Sequence, residues 1–420
     1  MHAHFKQFLI VFFLAQFTLF TASAGAYNVI ISSVPSFGGS FVANVWTPTT
    51  EPSHLSFTDL NAQFTLSDVE VITSGTGNIT VSTPFSYTGP DRLLTLSAQG
   101  AVTLYGITTT GAALSVTANA SGPVTISAVG ISLNNGSFTS TGTDFTVEAG
   151  GANTGTVLLN HTGTVTLKGP GGLDTNGNSF TSTGTDFLST DAGLKPGIGN
   201  VILNHSGSVT FSGVGLTTNG GTLTSSGTDF SSSTVMNTGG GDVVLNHTGT
   251  VNFSGSGLNT GIGSVTGSAG DLLIQNGGLH TVNAAVNFNC TGNITVSDAG
   301  LTTNGGSILM ESGKSISITG SAFSSGGTNN GGDITLRAYM GITADLAIDS
   351  SPGSGGVLSL DGNTAAIQTN PAPVVGGGNI TLYVDPSSAS IPTLSEWGMI
   401  IMLLMLAGSA IWMIRRRQIA

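Results

Sequence analysis

The middle of this chain repeats the stretch Ser-Thr-Gly-Thr-Asp-Phe, which occupies residues 140–145 and 182–187 and returns as Ser-Ser-Gly-Thr-Asp-Phe at 225–230. Its copies are spaced about 43 residues apart. Such self-similarity indicates a solenoid, in which each unit is too small to bury a core alone and stacks on its neighbours. A second stretch, Leu-Asn-His followed by Thr or Ser and then Gly, also has three copies, which begin at Leu159, Leu203 and Leu245.

Each period divides into two halves of about 21 residues that carry short alternating strands, such as 164–167 and 208–211. Gly-Asn and Asn-Gly corners separate these strands. We therefore predict an all-β fold, a right-handed parallel β-helix (solenoid) over residues 63–385, whose roughly fifteen coils stack at the strand spacing of about 4.8 Å. Val, Leu, Ile and Phe should line the inside, and Thr and Ser the outside. Residues 27–62 lack the repeat and are predicted to form an N-terminal capping region.

The composition favours strands over helices or disorder. The chain has 63 glycines in 420 residues, and only 7% of its residues are charged, so the helix formers Glu, Lys, Arg and Gln are scarce. Disorder is the competing interpretation of so much Gly, Ser and Thr. Disordered chains have low hydrophobicity or high charge, however, and 39% of this chain is hydrophobic.

Three polar residue types recur with the repeat. We interpret the asparagines as corner residues that hydrogen-bond along the stack. The histidines are predicted to be surface turn residues, because copies two coils apart are separated by roughly 9.6 Å, too far to share a metal ion. The aspartates have the same spacing and are predicted to bind local backbone at turns. The three sets are Asn160, Asn204 and Asn246; His161, His205 and His247; and Asp144, Asp186 and Asp229.

Cys290 is the single cysteine of the chain. It follows the alternating stretch Val-Asn-Phe-Asn, which places it on the same side as the larger apolar residues. No basic group is near it in sequence to stabilise a thiolate, so a buried, inert thiol is favoured over a catalytic nucleophile.

The charge distribution argues against nucleic-acid binding and against an enzyme. A net charge of −12 repels phosphate. The acidic pairs 68/70 and 345/349 have no third group beside them, and no serine lies in a nucleophile elbow. We expect no catalytic residue, no metal ligand and no cofactor, with structural calcium left open. Between residues 25 and 390 the basic residues are scattered: Arg92, Lys168, Lys195, Lys314 and Arg337.

The first 26 residues have the pattern of a signal peptide. They contain Lys6, an apolar core at 8–20 and small residues that predict cleavage after Ala24 or Ala26. The other end pairs an apolar stretch at 397–414, which as a helix is just long enough to cross a bilayer, with the basic tail 415–417. That tail predicts a single transmembrane helix whose C-terminus is cytoplasmic, with the preceding chain on the far side of the membrane.

Residues 391–394 read Ile-Pro-Thr-Leu, and Trp-Gly at 397–398 begins the apolar stretch. With these features the C-terminal tail resembles the IPTL-CTERM family of bacterial sorting domains, relatives of the signals that exosortases handle. The resemblance covers residues 391–417 and implies that a membrane exosortase recognises the motif and releases the protein from its anchor. An ordinary anchor that is never processed is the alternative. The residues that carry the resemblance are Ile391, Pro392, Thr393, Leu394, Trp397, Gly398, Arg415, Arg416 and Arg417.

The repeat region resembles the β-helical shafts of filamentous haemagglutinins and autotransporter passengers. The stretch Gly-Asp-Ile-Thr-Leu-Arg-Ala at 332–338, followed by Gly-Ile-Thr at 341–343, is typical of that repeat style. Their N-terminal secretion domain and C-terminal barrel are not recognisable in this sequence. The resemblance therefore implies a fold more than a binding partner.

Together these features predict an exported bacterial surface or matrix protein, structural or adhesive, without enzymatic activity. It would cross the inner membrane, be anchored there transiently through residues 391–417 after a linker at 386–390, and then reach the cell surface or extracellular matrix. The expected partners are an exosortase and extracellular polysaccharide or neighbouring cells. The alternatives are a β-helical polysaccharide lyase or hydrolase, and a surface-layer subunit that packs with copies of itself.

Overall fold

A computed structural model describes residues 25–127, 129–148, 150–327, 331–353 and 357–385. These residues wind into an all-β parallel solenoid of about 16 turns with little helix, which confirms the predicted fold class. The right-handed winding and the domain boundaries stay predictions. Most of the predicted signal peptide, the linker, the sorting motif and the transmembrane helix lie outside the described residues. Within them, no helix is long and apolar enough to cross a membrane.

Most coils contribute strands to three faces, here called face 1, face 2 and face 3. Register defines the coil, since Leu94, Val116 and Phe138 lie side by side on consecutive face 1 strands. Face 1 consists of β2 (Gly39–Val42), β3 (Val45–Pro48), β5 (Val69–Ile72), β8 (Arg92–Ala98), β11 (Leu114–Ala120), β14 (Phe138–Gly142), β17 (Val157–His161), β20 (Phe180–Gly184), β23 (Val201–His205), β26 (Leu223–Gly227), β29 (Val243–His247), β32 (Val265–Ala269), β35 (Val286–Cys290), β37 (Ile308–Ser312), β39 (Ile334–Ala338), β42 (Leu358–Gly362) and β44 (Ile380–Val384).

Faces 2 and 3 are built from shorter strands, and the long strands β36 and β38 take part in both. Face 2 consists of β1 (Val29–Ser32), β4 (Ser53–Ser56), β6 (Ile79–Val81), β9 (Val102–Leu104), β12 (Val124–Ile126), β15 (Phe145–Val147), β18 (Val165–Leu167), β21 (Phe187–Ser189), β24 (Val209–Phe211), β27 (Phe230–Ser232), β30 (Thr250–Phe253), β33 (Asp271–Gln275), β36 (Ile294–Thr302), β38 (Ser315–Ser324), β40 (Gly341–Ala344) and β43 (Ile367–Thr369). Face 3 adds β7 (Phe85–Tyr87), β10 (Ile107–Thr109), β13 (Ile131–Ser132), β16 (Ala152–Asn153), β19 (Leu173–Asp174), β22 (Gly193–Gly197), β25 (Gly215–Thr218), β28 (Met236–Asn237), β31 (Leu258–Gly261), β34 (Leu279–Thr281) and β41 (Ile348–Asp349).

The core explains why the sequence repeats every two coils rather than every coil. Large and small buried side chains alternate at one inward position of face 2, so that each phenylalanine lies between two valines of the coils before and after it. Two phenyl rings at the same position of adjacent coils would overfill the interior, whereas alternation reaches close packing. The alternating column is Phe145, Val165, Phe187, Val209, Phe230 and Val251.

The three repeated histidines are buried, so their prediction as surface turn residues was wrong. They end strands β17, β23 and β29, and only 2–3% of their surface is exposed. Each occupies the same inward position as a glycine of the preceding coil, for example His205 beside Gly184. A Cβ atom on Gly184 would lie 3.3 Å from the His205 ring and 2.5 Å from the carbonyl oxygen of Gly163. Glycine on one coil thus makes room for an imidazole on the next.

The strand order is not sequential at either end of the solenoid. At the N-terminal end β1 lies between β4 and β6, and helix α1 (Phe57–Phe64) packs beside β4. Ser56 caps α1 by accepting a hydrogen bond from the Asp59 backbone N–H at 3.0 Å. At the other end β44 inserts between β39 and β42, which leaves β42 exposed along its whole length; a short 3-10 helix, Thr364–Ala366, follows it.

Candidate binding face and C-terminal groove

The outward side of face 1 carries a ladder of hydrogen-bonded amides and hydroxyls. In adjacent coils an asparagine alternates with a threonine or serine whose hydroxyl donates to the asparagine Oδ1, at 2.9 Å from Thr183 to Asn160 and 3.0 Å from Ser226 to Asn204. We call this column the amide ladder. It consists of Asn119, Thr141, Asn160, Thr183, Asn204, Ser226, Asn246, Ser268 and Asn289.

The repeated asparagines hydrogen-bond along the stack as predicted, but they lie within strands rather than at corners. Alternation places Asn160 outward between the inward residues Leu159 and His161. The carbonyl oxygen of the Asn160 side chain accepts the bond from Thr183. Its amide NH2 group makes no hydrogen bond to the described residues and faces solvent. The ladder therefore offers one free donor pair every second coil.

A second outward column of face 1 adds apolar surface beside the ladder. Leu158 and Ile202 are 44% and 42% exposed, and each shares a strand with a ladder asparagine. Threonines of the intervening coils, such as Thr181, separate them. Face 1 thus repeats an aliphatic patch next to an amide about every 9.6 Å, twice the strand spacing.

Two adjoining depressions continue the ladder toward the C-terminal end of the solenoid. Their volumes are about 440 and 330 Å³, and they share the lining residues Asn289 and Glu311. In register the outward column runs from Asn289 through Glu311 and Arg337 to Tyr383. We call the combined depression the C-terminal groove. Its remaining lining includes Asn246, Thr266, Ser268, Asn287, Leu309, Tyr339 and Asp385.

Charged and aromatic side chains come together in the C-terminal groove. Arg337 Nη1 lies 3.0 Å from Glu311 Oε1, and both side chains are partly exposed. Tyr339 is 43% exposed at the same place, beside Asp385. The groove therefore holds two carboxylates, one guanidinium and tyrosine rings, which is a denser set of binding groups than the charge-poor sequence suggests.

Buried serine–histidine pairs repeat beneath face 1. The distance from Oγ to Nε2 is 3.0 Å for Ser140 and His161, and 3.1 Å for both Ser182 with His205 and Ser225 with His247. The other ring nitrogen, Nδ1, is buried without a hydrogen-bond partner in all three. Burial lowers the pKa of each histidine to about 4, against the opposing effect of a nearby aspartate, so the rings are neutral at pH 7.

These pairs resemble the nucleophile and base of a hydrolase, but they cannot reach a substrate. Each serine is fully buried, and no carboxylate holds Nδ1. The nearby aspartates instead accept hydrogen bonds from the backbone of the next coil, as Asp144 does from the Thr164 N–H at 2.8 Å. They bind backbone as predicted, but across coils rather than locally. The missed signal was the alternation of histidine with glycine at one position of successive half-repeats.

Cys290 is buried at the edge of the groove, as predicted. Burial, together with Asp271, raises the pKa of its thiol to about 12, so it stays protonated near neutral pH. Among the described residues no group of three or more His, Cys, Asp or Glu side chains could hold a metal ion.

The predicted acidic pair at 68 and 70 is occupied by internal hydrogen bonds. Asp68 accepts from the Leu93 backbone N–H at 3.0 Å, and Glu70 accepts from the Ser97 hydroxyl at 3.0 Å. The acidic residues that line one depression in the structure are instead Glu311 and Asp385, in the C-terminal groove. The spacing of acidic residues in the sequence did not indicate them.

The sorting-motif residues lie outside the described part of the chain, so their assignment stays a prediction. Residues 389–418 match the IPTL-CTERM motif. This match and the β-solenoid of about 16 turns together fit an IPTL-CTERM β-helix protein. The motif indicates export and a surface location, and it implies processing by a sorting enzyme of the exosortase type. Comparisons with curated proteins and with solved structures found no match to this chain.

Proposed function

We propose that this IPTL-CTERM protein is a non-enzymatic stalk of the bacterial surface or matrix, structural or adhesive. The amide ladder is the observation that carries the proposal. It repeats a free amide and an aliphatic patch over face 1, and many weak equivalent sites give avidity to a repetitive partner such as a polysaccharide. The net charge of −12 keeps the exposed rod soluble.

Delivery would use both ends of the chain. The signal peptide directs export, the apolar segment at 397–414 anchors the protein transiently in the inner membrane, and an exosortase releases it at the IPTL-CTERM motif. C-terminal peptide mapping of protein recovered from the cell surface tests this route. A peptide that ends before residue 397 supports release, whereas an intact C-terminus at 420 contradicts it.

The adhesive role is tested by changing the ladder without changing the core. We expect a variant with Asn160→Asp, Asn204→Asp and Asn246→Asp to reach the surface but to bind cells or matrix polysaccharide more weakly, because each change removes a free donor pair and adds a charge. Thr103→Asp, Thr125→Asp and Thr166→Asp on face 2 form the matched control. Equal adhesion by both variants would argue against the ladder.

A second candidate function is polysaccharide cleavage in the C-terminal groove. The observation that favours it is the meeting of Glu311, Arg337 and Asp385, since β-helical lyases and hydrolases place acidic and basic groups in one groove. Oligosaccharides released by the wild-type protein but not by Glu311→Gln would establish this function. If no oligosaccharide is released, the groove would bind polysaccharide without cleaving it.

A further inference from the structure

We propose that the C-terminal groove binds an extended, neutral polysaccharide chain without cleaving it. The proposal deepens the proposed adhesive function and rests on its surface location. The column from Asn246 to Tyr383 crosses six coils, a length of roughly 24 Å at the strand spacing. A linear sugar chain of several units can lie along this distance.

The aromatic residues of the groove provide the apolar part of the site. Tyr339 is 43% exposed, and Tyr383 is partly exposed on the strand beside Arg337. Neither hydroxyl makes a hydrogen bond to the described residues, so both can bond to a ligand. A sugar ring has an apolar face of C–H groups and a polar rim of hydroxyls. Such a ring can pack on a tyrosine ring and bond to its hydroxyl.

The polar residues of the groove match the hydroxyl rim of a sugar. Arg337 Nη1 lies 3.0 Å from Glu311 Oε1, and Asn289 continues this row of polar side chains along the ladder. With one contact between them, the two side chains keep further N–H donors and oxygen lone pairs for a ligand. Vicinal hydroxyls can bond to both without either charge being left unpaired.

The charge of the groove selects a neutral ligand. Glu311 and Asp385 each carry a negative charge against the single positive charge of Arg337. The groove is therefore net negative on a protein whose total charge is −12. A polyuronate or other polyanion would be repelled, because like charges placed together cost binding free energy.

The test is calorimetric titration of the full chain in detergent with cellohexaose, an extended neutral hexasaccharide. We expect binding that Tyr339→Ala weakens about tenfold, because truncating an aromatic anchor commonly costs this much. Tyr105→Ala is the matched control, since Tyr105 is similarly exposed, at 40%, but lies outside the groove. Its affinity should equal that of the wild type.

Charge selection is tested with hexagalacturonate as the anionic probe. It should bind more weakly than cellohexaose, and Glu311→Gln should narrow the difference by removing one negative charge. The proposal is overturned if cellohexaose does not bind, if Tyr339→Ala and Tyr105→Ala behave alike, if hexagalacturonate binds as tightly, or if cellohexaose is cleaved. Antibody labelling of intact cells tests the surface location by itself. If labelling succeeds and the glycan does not bind, the groove proposal fails and the surface location stands.

Discussion

At the scale of single residues, buried serine–histidine pairs connect successive coils of this solenoid. A neutral imidazole is kept in the core at the expense of one unpaired nitrogen, and a serine of the preceding coil satisfies the other. A buried polar atom without a partner destabilises a fold. Loss of the serine hydroxyl would therefore leave the second ring nitrogen buried without a partner as well.

We predict that Ser182→Ala destabilises the protein by about 1–3 kcal/mol, because it leaves both nitrogens of His205 without partners. Thr183→Ala is the matched control, since the neighbouring hydroxyl makes its bond to Asn160 on the exposed side and should cost less than about 1 kcal/mol. Urea denaturation followed by circular dichroism measures both. Equal midpoints for the two variants would contradict the buried pair.

The same histidines predict a loss of stability in mild acid. Their pKa is 6.5 in the unfolded chain and about 4 when folded, so between these values the unfolded state binds more protons. The free energy of unfolding should fall as the pH drops from about 6.5 to about 4, by roughly 1 kcal/mol per pH unit for each histidine. Thermal melts across this range measure the slope, which should flatten when all three residues are changed to leucine.

Sequence reasoning failed for these residues because a polar residue beside Gly and Asn suggests a turn. The inward position of His205 becomes visible only when the half-repeats are aligned in the correct register, with Gly184 opposite it. A slip of one residue reverses which side chains face inward. Cys290 was predicted correctly because clear alternation with Phe288 fixes its side of the strand.

At the scale of the strands, alternation of large and small side chains sets the repeat. Val209 lies between Phe187 and Phe230 of the neighbouring coils, whose rings reach toward Phe211 at 5.5 and 6.1 Å. The sequence predicts the period of two coils from the spacing of these copies. It does not reveal which column alternates, since that depends on the register between strands.

We predict that Val209→Phe destabilises the protein by about 1–3 kcal/mol, because a third ring has no space between two others. Val102→Phe is the matched control, as Val102 occupies the same column between Ile79 and Val124, where no ring is present. Thermal melts should show a lower midpoint for Val209→Phe than for Val102→Phe. The reverse order would refute the alternating column.

At the scale of the whole molecule, the stack of coils was predictable and its two ends were not. Copies spaced by about 43 residues predict a coil of half that length, and the structure has about 16 turns against the fifteen expected. The ends differ because β1 lies between β4 and β6, and β44 lies between β39 and β42, so the strands there do not stack in chain order. These strands lie outside the clear repeat, so no periodicity indicates their partners. The C-terminal groove, formed beside β44, was missed for the same reason.

The stacking of coils is tested most directly by distances between spin labels on the amide ladder. Cys290 is buried and stays unlabelled, so cysteines introduced at Asn119, Asn204 and Asn289 can be labelled in pairs. Asn119 is four coils from Asn204 and eight from Asn289, so pulsed electron paramagnetic resonance should give backbone separations of roughly 19 and 38 Å, in the ratio of one to two. Broad distributions, or distances that do not double between the two pairs, would contradict the solenoid.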